Sequence, residues 1–349
     1  MSKIVAFYAL AVFALSTWKI MFLSSDMPRA SRVAIIARHG DRTPSIIPAA
    51  HESFWRAQLM NTSIPSSRTQ LTKRGDNEMH ELGRKLARTY GYLSNEMTHS
   101  LGFYSTDYDR TKQSAGIVAS EFGSFDVQFQ PRKNDPLDPW ESISSYPKQV
   151  MDFWARPLNT EVLVHDNEFR DELIMAGGAL QDYFPNTASF DWVSALDVVF
   201  CTSAYPDAPN FEAISNIAAK VIDITTKQFS LLYADDSIRK QAVCGLIAGI
   251  CEWISPGTEF ATSDHNFRIN EKDDFAFISC HDTNLLPLWI ALNQDRKPSW
   301  PAYGYYIAFE LVGSTVHITD SSGSMRQKMS LAQFNRFCEA ESFMESTGI

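Results

Sequence analysis

Three basic side chains lie within five residues of one another in the segment RVAIIARHGDRTP: Arg38, His39 and Arg42. The apolar run before them, residues 33–37, is long enough for one buried strand. Gly40 predicts a sharp turn at the strand end, because glycine adopts backbone angles that a side chain forbids. Adjacent guanidinium groups repel each other unless an anion lies between them, and the planar arginine fork matches phosphate. A histidine among them can carry a proton or act as a nucleophile. Taken alone, the segment also fits a basic surface turn.

Two further segments place polar side chains at the ends of predicted strands. Arg110 lies in STDYDRTKQSA, where a short strand passes into a helix. His281 and Asp282 directly follow the apolar strand expected at residues 275–280. The carboxyl ends of parallel strands meet at one edge of a sheet, where open α/β sheets bind their ligands. We therefore expect three guanidinium groups, two imidazoles and one carboxyl to meet at this edge.

This set of side chains predicts phosphoryl transfer through a phosphohistidine. His39 is nucleophilic only when neutral, and the neighbouring arginine charges should lower its pKa. The arginines would also hold the phosphate dianion in line for attack, while Asp282 protonates the leaving oxygen. Enzymes accelerate phosphate-monoester hydrolysis up to ~10²¹-fold, which corresponds to lowering the barrier by about 29 kcal/mol. One positioned donor contributes roughly 3–4 kcal/mol. Several cations and covalent catalysis are therefore needed together. The working pH should be acidic, because Asp282 must carry a proton and a free aspartate has a pKa of about 3.9.

Composition indicates a globular protein that does not bind nucleic acid. The chain has 349 residues, 44% of them hydrophobic, with a formal net charge of −10 and a pI of about 5.3. Nucleic-acid binding needs a net basic surface. The sequence has no CxxC spacing for structural zinc and no Gly-rich Lys-Ser/Thr loop for a nucleotide triphosphate. We therefore expect no metal and no cofactor.

Residues 1–25 predict a targeting segment. Lys3 precedes an apolar run over residues 4–15, the length of a signal-peptide core, and the small residues Ala14 and Ser16 suit cleavage. The apolar stretch continues to Leu23, so an uncleaved membrane anchor is the alternative. The expected location is secreted or lumenal, in a lysosome-like compartment, with membrane anchoring as the alternative. An exported chain could also be a glycoprotein, because Asn61 begins a glycosylation sequon.

The cysteines add a second indication about the compartment. The chain has five of them: Cys201, Cys244, Cys251, Cys280 and Cys338. Export would permit disulfides, and an odd count leaves at least one thiol free. Cys244 and Cys251 lie close enough in sequence to pair, although the spacing alone does not decide it.

Sequence periodicity predicts the elements that position the three turns. A first amphipathic helix is expected over residues 73–90, with Thr72 as its N-cap, and a second begins at a cap on Asp109 or Thr111. The expected strands are residues 33–37, 101–106, 126–131, 275–280, 305–312 and 315–319. Further helices are expected over residues 167–179, 210–234 and 236–254.

These elements define an α/β fold with an open, mainly parallel sheet flanked by helices and a mostly helical inserted domain. We expect residues 26–130 and 256–349 to form the α/β core. Residues 131–255 are expected to form the helical insertion, packed beside the sheet.

The turns and their surroundings resemble the signatures of the histidine acid phosphatases, members of the histidine phosphatase superfamily. Arg38 to Pro44 is similar to the RHGxRxP signature, and CHDTN is similar to the HD signature. QLTKRGDNEMHELGRKLARTY and YSTDYDRTKQSA look like two further family segments, and PAYGYYIAFEL is similar to the late strand region. The resemblance covers residues 32–131 and 275–312, whereas residues 131–255 match only in position and helical texture. The resemblance implies that this insertion determines substrate selectivity.

By this resemblance, His39 is the nucleophile and Asp282 the general acid. The phosphate-binding residues that it implies are Arg38, Arg42, Arg110 and His281. The implied activity is that of an acid phosphatase, which hydrolyses small phosphate monoesters without a metal. HDTN is closer to the phytase and acid-phosphatase branches than to relatives with HAE, and it does not separate those two.

Several alternatives stay open. The enzyme could be a more selective phosphatase that acts on inositol phosphates or on lysophospholipid phosphates. A catalytically inactive surface binding protein with the same fold is the alternative outside enzymes, and the presence of all six family residues counts against it. Relatives are often dimers, but no interface can be read from the sequence, so a homodimer is neither predicted nor excluded. Asp41 is expected to have a structural role.

Overall fold

The computed structural model describes residues 29–94, 100–124, 126–131, 135–137, 192–257, 267–293 and 297–342. The targeting segment expected over residues 1–25 and the helix expected over residues 167–179 lie outside these ranges. Within them, no helix is long and apolar enough to cross a membrane.

The described strands form one mixed sheet of seven strands in the order β3-β2-β4-β1-β5-β6-β7. Their bounds are β1 Arg32–Arg38, β2 Ser100–Ser105, β3 Gln128–Phe129, β4 Asp273–Cys280, β5 Tyr306–Val312, β6 Thr315–Asp320 and β7 Arg326–Ser330. Strands β3, β2, β4 and β1 are parallel, whereas β5, β6 and β7 pair antiparallel beyond β1. The expected open α/β sheet is confirmed, and the predicted turns all follow strands of its parallel half.

The helices lie on both sides of this sheet. Their bounds are α1 Glu52–Ala57, α2 Lys73–Tyr90, α3 Asp109–Glu121, α4 Trp192–Ser203, α5 Phe211–Tyr233, α6 Asp236–Ile254, α7 Asp282–Leu292 and α8 Leu331–Ser342. The prediction for α2 is confirmed at both ends, and the Thr72 side chain accepts a hydrogen bond from the Gly75 N–H. The predicted cap of α3 is wrong, because Tyr108 precedes the helix without a side-chain cap and the Thr111 hydroxyl bonds back to the Thr106 carbonyl.

The apolar run of β1 is continuous because both faces of the strand are buried. Val33, Ile35 and Ala37 pack in the cluster that contains side chains of α2 and α3. Ala34 and Ile36 point to the opposite face and pack with side chains of α6 and α7. A strand covered by helices on both faces cannot alternate polar and apolar residues, so five consecutive apolar residues are the expected pattern.

The described part of the insertion is helical and is tied to the end of the chain. Helix α6 packs against α7 and α8. Its Cys251 forms a disulfide with Cys338 of α8, and its Arg239 forms a buried ion pair with Glu341 at 3.0 Å. The division at residues 131 and 255 stays a prediction.

Cys244 and Cys251, whose pairing the sequence left open, do not form a disulfide. Both residues lie in α6, seven positions apart, which separates them by roughly 10 Å along the helix axis. A disulfide needs Cα atoms within about 7 Å. Cys251 instead meets Cys338 with a Cα–Cα distance of 6.1 Å, and Cys201, Cys244 and Cys280 are free.

We expect Cys338→Ser to lower the free energy of unfolding by about 4 kcal/mol, because the disulfide closes a loop with a sequence separation of 87 residues. Urea unfolding measures this change. Cys244→Ser is the matched control, since it removes a half-buried free thiol from the same helix, and it should change stability by less than about 1 kcal/mol. Equal stability of the two variants would contradict the structural role of the disulfide.

Candidate active site

The register of the parallel strands brings the three predicted turns together. Arg38 of β1 lies opposite Cys280 of β4, and Ser105 of β2 lies opposite Ser279 of β4. The three strands therefore end at the same level of the sheet. The last residue of β1 and the segments that follow the three strands carry the six predicted site residues: Arg38, His39, Arg42, Arg110, His281 and Asp282.

Gly40 allows the first turn to approach helix α2 very closely. A Cβ atom at Gly40 would lie 2.5 Å from the Gly75 carbonyl oxygen, and one at Gly75 would overlap the Asp41 backbone. Gly40 does not have a positive φ angle, so the expected need for special backbone angles is wrong. The glycine is required because the turn rests directly on the first residues of α2, and the Thr72 N–H donates to the Asp41 carbonyl at 3.0 Å.

The His39 ring is buried and oriented by two contacts. Its Nδ1 lies 2.8 Å from the Gly40 carbonyl oxygen, which can only accept, so Nδ1 carries the proton. Its Nε2 accepts a hydrogen bond from Arg110 Nε at 3.1 Å, so the lone pair lies on Nε2. Burial, followed by the charges of Arg110 and Arg38, lowers the pKa of His39 well below its usual value. The structure therefore favours a neutral imidazole with its lone pair on Nε2.

Arg38 connects the turn that carries His39 to Asp282, the predicted general acid. Its Nη2 pairs with Asp282 Oδ2 at 2.5 Å, and its Nη1 donates to the Pro301 carbonyl at 2.7 Å. The guanidinium lies 4.2 Å from the centre of the Tyr303 ring, within the range of a cation–π interaction. These three partners fix the guanidinium plane, and its buried Nε has no hydrogen-bond partner among the described residues.

His281 closes the other side of the site. Its Nε2 lies 3.0 Å from the Thr106 hydroxyl, and its Nδ1 lies 3.4 Å from Arg110 Nη2. The His281 N–H donates to Asn284 Oδ1, which caps helix α7 at the residue before Asp282. The ring centres of His39 and His281 are 5.5 Å apart. All six predicted residues are therefore gathered at one edge of the sheet.

Two site residues were not predicted from the sequence. Asp197 of α4 pairs with Arg42 at 2.5 Å, and Tyr303 lies between Arg38 and the Cys201 thiol. The carboxyl of Asp197 is a single charge within an apolar stretch, a pattern that indicates a buried partner. A small cavity of about 70 Å³ adjoins Arg38 and Arg42, and four apolar side chains contribute to its lining: Leu196, Phe200 and Phe229 from helices, and Trp300 from the segment before β5.

Asp41 has the structural surroundings expected of it. Its Oδ2 accepts hydrogen bonds from the Thr72 hydroxyl at 2.6 Å and from the Tyr205 hydroxyl. Its Oδ1 is buried without a hydrogen-bond partner in the described part of the chain. Burial raises the pKa of Asp41 to about 6 against these hydrogen bonds. Asp41 therefore joins the turn to the N-cap of α2 and to Tyr205, which follows α4.

No group of three or more histidine, cysteine or carboxylate side chains that could hold a metal ion occurs among the described residues.

The family comparison agrees with the site. Residues 31–152 match the model of the histidine phosphatase superfamily, branch 2. Over 85 residues, the chain is 39% identical to prostatic acid phosphatase of Rattus norvegicus and 40% identical to testicular acid phosphatase of Mus musculus. Each match covers 24% of this chain, and the two cover 21% and 19% of the relatives. The chain is thus matched over about a fifth of the length of these two relatives.

A longer match and the solved structures extend the similarity. Prostatic acid phosphatase of Bos taurus is 25% identical over 283 residues, which are 75% of this chain and 68% of the relative. A phytase from Citrobacter braakii has a TM-score of 0.59 at 17% identity, covering 90% of this chain and 98% of that structure. A Klebsiella phytase has a TM-score of 0.60 at 13% identity, with 90% and 95% covered. At these low sequence identities, the similarity to the two phytase structures is evidence for the fold alone. The chain is thus similar to histidine acid phosphatases, and its residues 31–152 match branch 2 of the histidine phosphatase superfamily.

The raised pKa of Asp41 predicts a pH-dependent stability. The folded protein holds the Asp41 proton more tightly than the unfolded chain, so this stabilisation is complete below about pH 4 and is lost as the pH rises through about 6. The difference between 3.8 and about 6 corresponds to about 3 kcal/mol. In urea unfolding between pH 4 and 7, the free energy of unfolding of the unsubstituted protein should fall by this contribution. The Asp41→Asn variant should not show that fall. Asp207→Asn, a change at an exposed aspartate, should follow the unsubstituted protein. If the free energy of unfolding depends on pH in the same way in all three proteins, the raised pKa of Asp41 is contradicted.

Proposed function

We propose that this protein is an acid phosphatase that hydrolyses phosphate monoesters through a phosphohistidine on His39. The observation that carries the proposal is the neutral His39 Nε2 inside a ring of buried arginines. Three guanidinium groups around one imidazole lower its pKa and at the same time attract a phosphate dianion. This arrangement supplies a nucleophile and an anion site at one place, which phosphoryl transfer requires.

The phosphate group would bind among Arg38, Arg42, Arg110 and His281. Arg110 would exchange its contact with His39 Nε2 for the phosphate oxygens, which exposes the lone pair for attack. The buried Nε atoms of Arg38 and Arg42 lack partners among the described residues and are available as donors. The first turn of helix α7 adds a partial positive charge beside them.

Asp282 would act as the general acid and then as the general base. In the first step His39 Nε2 forms the bond to phosphorus, the bond to the ester oxygen breaks, and Asp282 gives that oxygen its proton. In the second step the ionised Asp282 takes a proton from water, the water oxygen bonds to phosphorus, and the P–N bond breaks. Inorganic phosphate leaves and His39 is restored. Arg38 holds Asp282 at this position through their ion pair.

We place the protein in a secreted or lumenal compartment. The Cys251–Cys338 disulfide supports this location, because such bonds persist in oxidising environments. Asn61 is exposed, as a glycosylation site must be. The expected partner is a small phosphate monoester.

The purified protein should hydrolyse p-nitrophenyl phosphate with maximal activity below neutral pH, and a chelator should not reduce the rate. The lowered pKa of His39 keeps its ring neutral at pH values where an ordinary histidine would be protonated, so activity should extend well below pH 6.5. A profile from pH 3 to 9 checks this expectation.

His39→Ala is the critical variant, and it should lose at least about 10⁴-fold in kcat because the covalent step is removed. His80→Ala is the matched control, since His80 lies on α2 in contact with Glu121, away from the site, and its loss should leave the rate unchanged. Residual activity of His39→Ala close to that of the control would overturn the proposed mechanism.

A further inference from the structure

Asp197 is the one charged residue in the apolar segment WVSALDVVFC, which forms most of helix α4. The helix belongs to the stretch that could not be matched to a family motif, and it lies outside the residues matched by the family model. Only 9% of the Asp197 surface is exposed. A carboxylate buried to this extent is costly unless it is paired and hydrogen-bonded, so its partners indicate its role.

Both oxygens of Asp197 are bonded to the catalytic turn. Oδ1 pairs with Arg42 Nη2 at 2.5 Å. Oδ2 accepts hydrogen bonds from the Ser45 N–H at 2.6 Å and from the Ser45 hydroxyl at 2.7 Å. Burial would raise the pKa of Asp197, but Arg42 and these hydrogen bonds more than offset it and lower the pKa. Asp197 is thus a fixed anion with no free oxygen for proton transfer.

Arg42 depends on this contact for its orientation. Its Nη1 donates to the Thr43 carbonyl at 3.0 Å, so Asp197 and Thr43 together hold both ends of the guanidinium fork. The buried Nε has no hydrogen-bond partner among the described residues. Arg110, by contrast, forms no ion pair with a carboxylate in the described part of the chain, and burial followed by the charge of Arg42 lowers its pKa to about 10. Arg42 is therefore oriented by an anion, whereas Arg110 is oriented by the ring nitrogens of two histidines.

We propose that Asp197 is a positioning residue, through which helix α4 holds Arg42 in the orientation that receives the phosphate group. This inference rests on the proposed function. Asp197 itself touches neither substrate nor His39, and it acts through Arg42 alone. A long arginine side chain that is already oriented loses less conformational entropy when the phosphate binds, so affinity for phosphate and for the transition state should both depend on Asp197.

A double-mutant cycle with Asp197→Asn and Arg42→Ala tests the proposal. The amide keeps the shape of Asp197 but removes its charge and one acceptor. With p-nitrophenyl phosphate, Asp197→Asn should lower kcat/KM about tenfold and raise the inhibition constant of inorganic phosphate by a similar factor. In the Arg42→Ala background the same substitution should change both values by less than about twofold. Asp223→Asn is the matched control, because Asp223 lies in the neighbouring helix α5 and pairs with the exposed Lys297. It should leave both values unchanged.

Three results would overturn the proposal. One is an effect of Asp197→Asn that is equally large without Arg42, which would indicate a general structural role. The second is an inhibition constant for phosphate that Asp197→Asn leaves unchanged. The third is an inhibition constant that Asp197→Asn lowers, because Asp197 would then compete with phosphate as an anion. If Asp197→Asn does not fold, Asp197→Glu retains the charge but displaces the fork, and it should show the same dependence on Arg42. If the unsubstituted protein has no hydrolytic activity, the proposed function fails, and calorimetric binding of inorganic phosphate to the same variants still decides the role of Asp197.

Discussion

Buried positive charge is the constraint on which the rest of the site depends. Arg38, Arg42 and Arg110 lie at the ends of parallel strands around two imidazoles, where like charges repel and water is largely excluded. Such a cluster is stable without substrate only if anions and acceptors lie close by. Two carboxylates and the carbonyls of Thr43 and Pro301 meet this need. Burial and the positive charge that these acceptors leave uncompensated lower the pKa of His39.

The anions come from different parts of the chain. Asp282 follows β4 directly and is held beside Arg38 by the first turn of α7. Asp197 comes from α4, far from the turn in sequence, and reaches Arg42 and Ser45 across the site. The six predicted site residues thus come from the turns at the sheet edge, whereas the anion beside Arg42 comes from α4. Helix α4 also supplies apolar side chains beside the arginines, including Phe200.

The sequence was sufficient for those features that depend on local patterns. A strand buried on both faces, an amphipathic helix and an N-cap leave periodic signals, so β1, α2 and Thr72 were predicted correctly. The gathering of His39, Arg110 and His281 followed from the rule that parallel strands end at one edge. In each case the information lies in residues that are neighbours in the chain or in elements with a standard arrangement.

The features that were missed depend on contacts between distant segments. The Cys251–Cys338 disulfide joins residues separated by 87 positions, and no pattern around Cys251 specifies its partner. The pairing of Arg42 with Asp197 likewise requires the position of α4, although an isolated charge in an apolar helix signals that some partner exists. Gly40 was identified as a constrained position for the wrong reason, because the close approach of α2 cannot be seen from the turn alone.

The covalent bond to His39 is the central claim, and it can be observed directly. The protein should be mixed with ³²P-labelled p-nitrophenyl phosphate at acidic pH, quenched rapidly in base and digested. We predict label on the peptide that contains His39, in a form that is stable in base and released by acid, as a phosphoramidate bond requires. Its appearance should be at least as fast as steady-state turnover, and the His39→Ala protein should carry none. Turnover without a labelled His39 peptide would contradict the phosphohistidine mechanism.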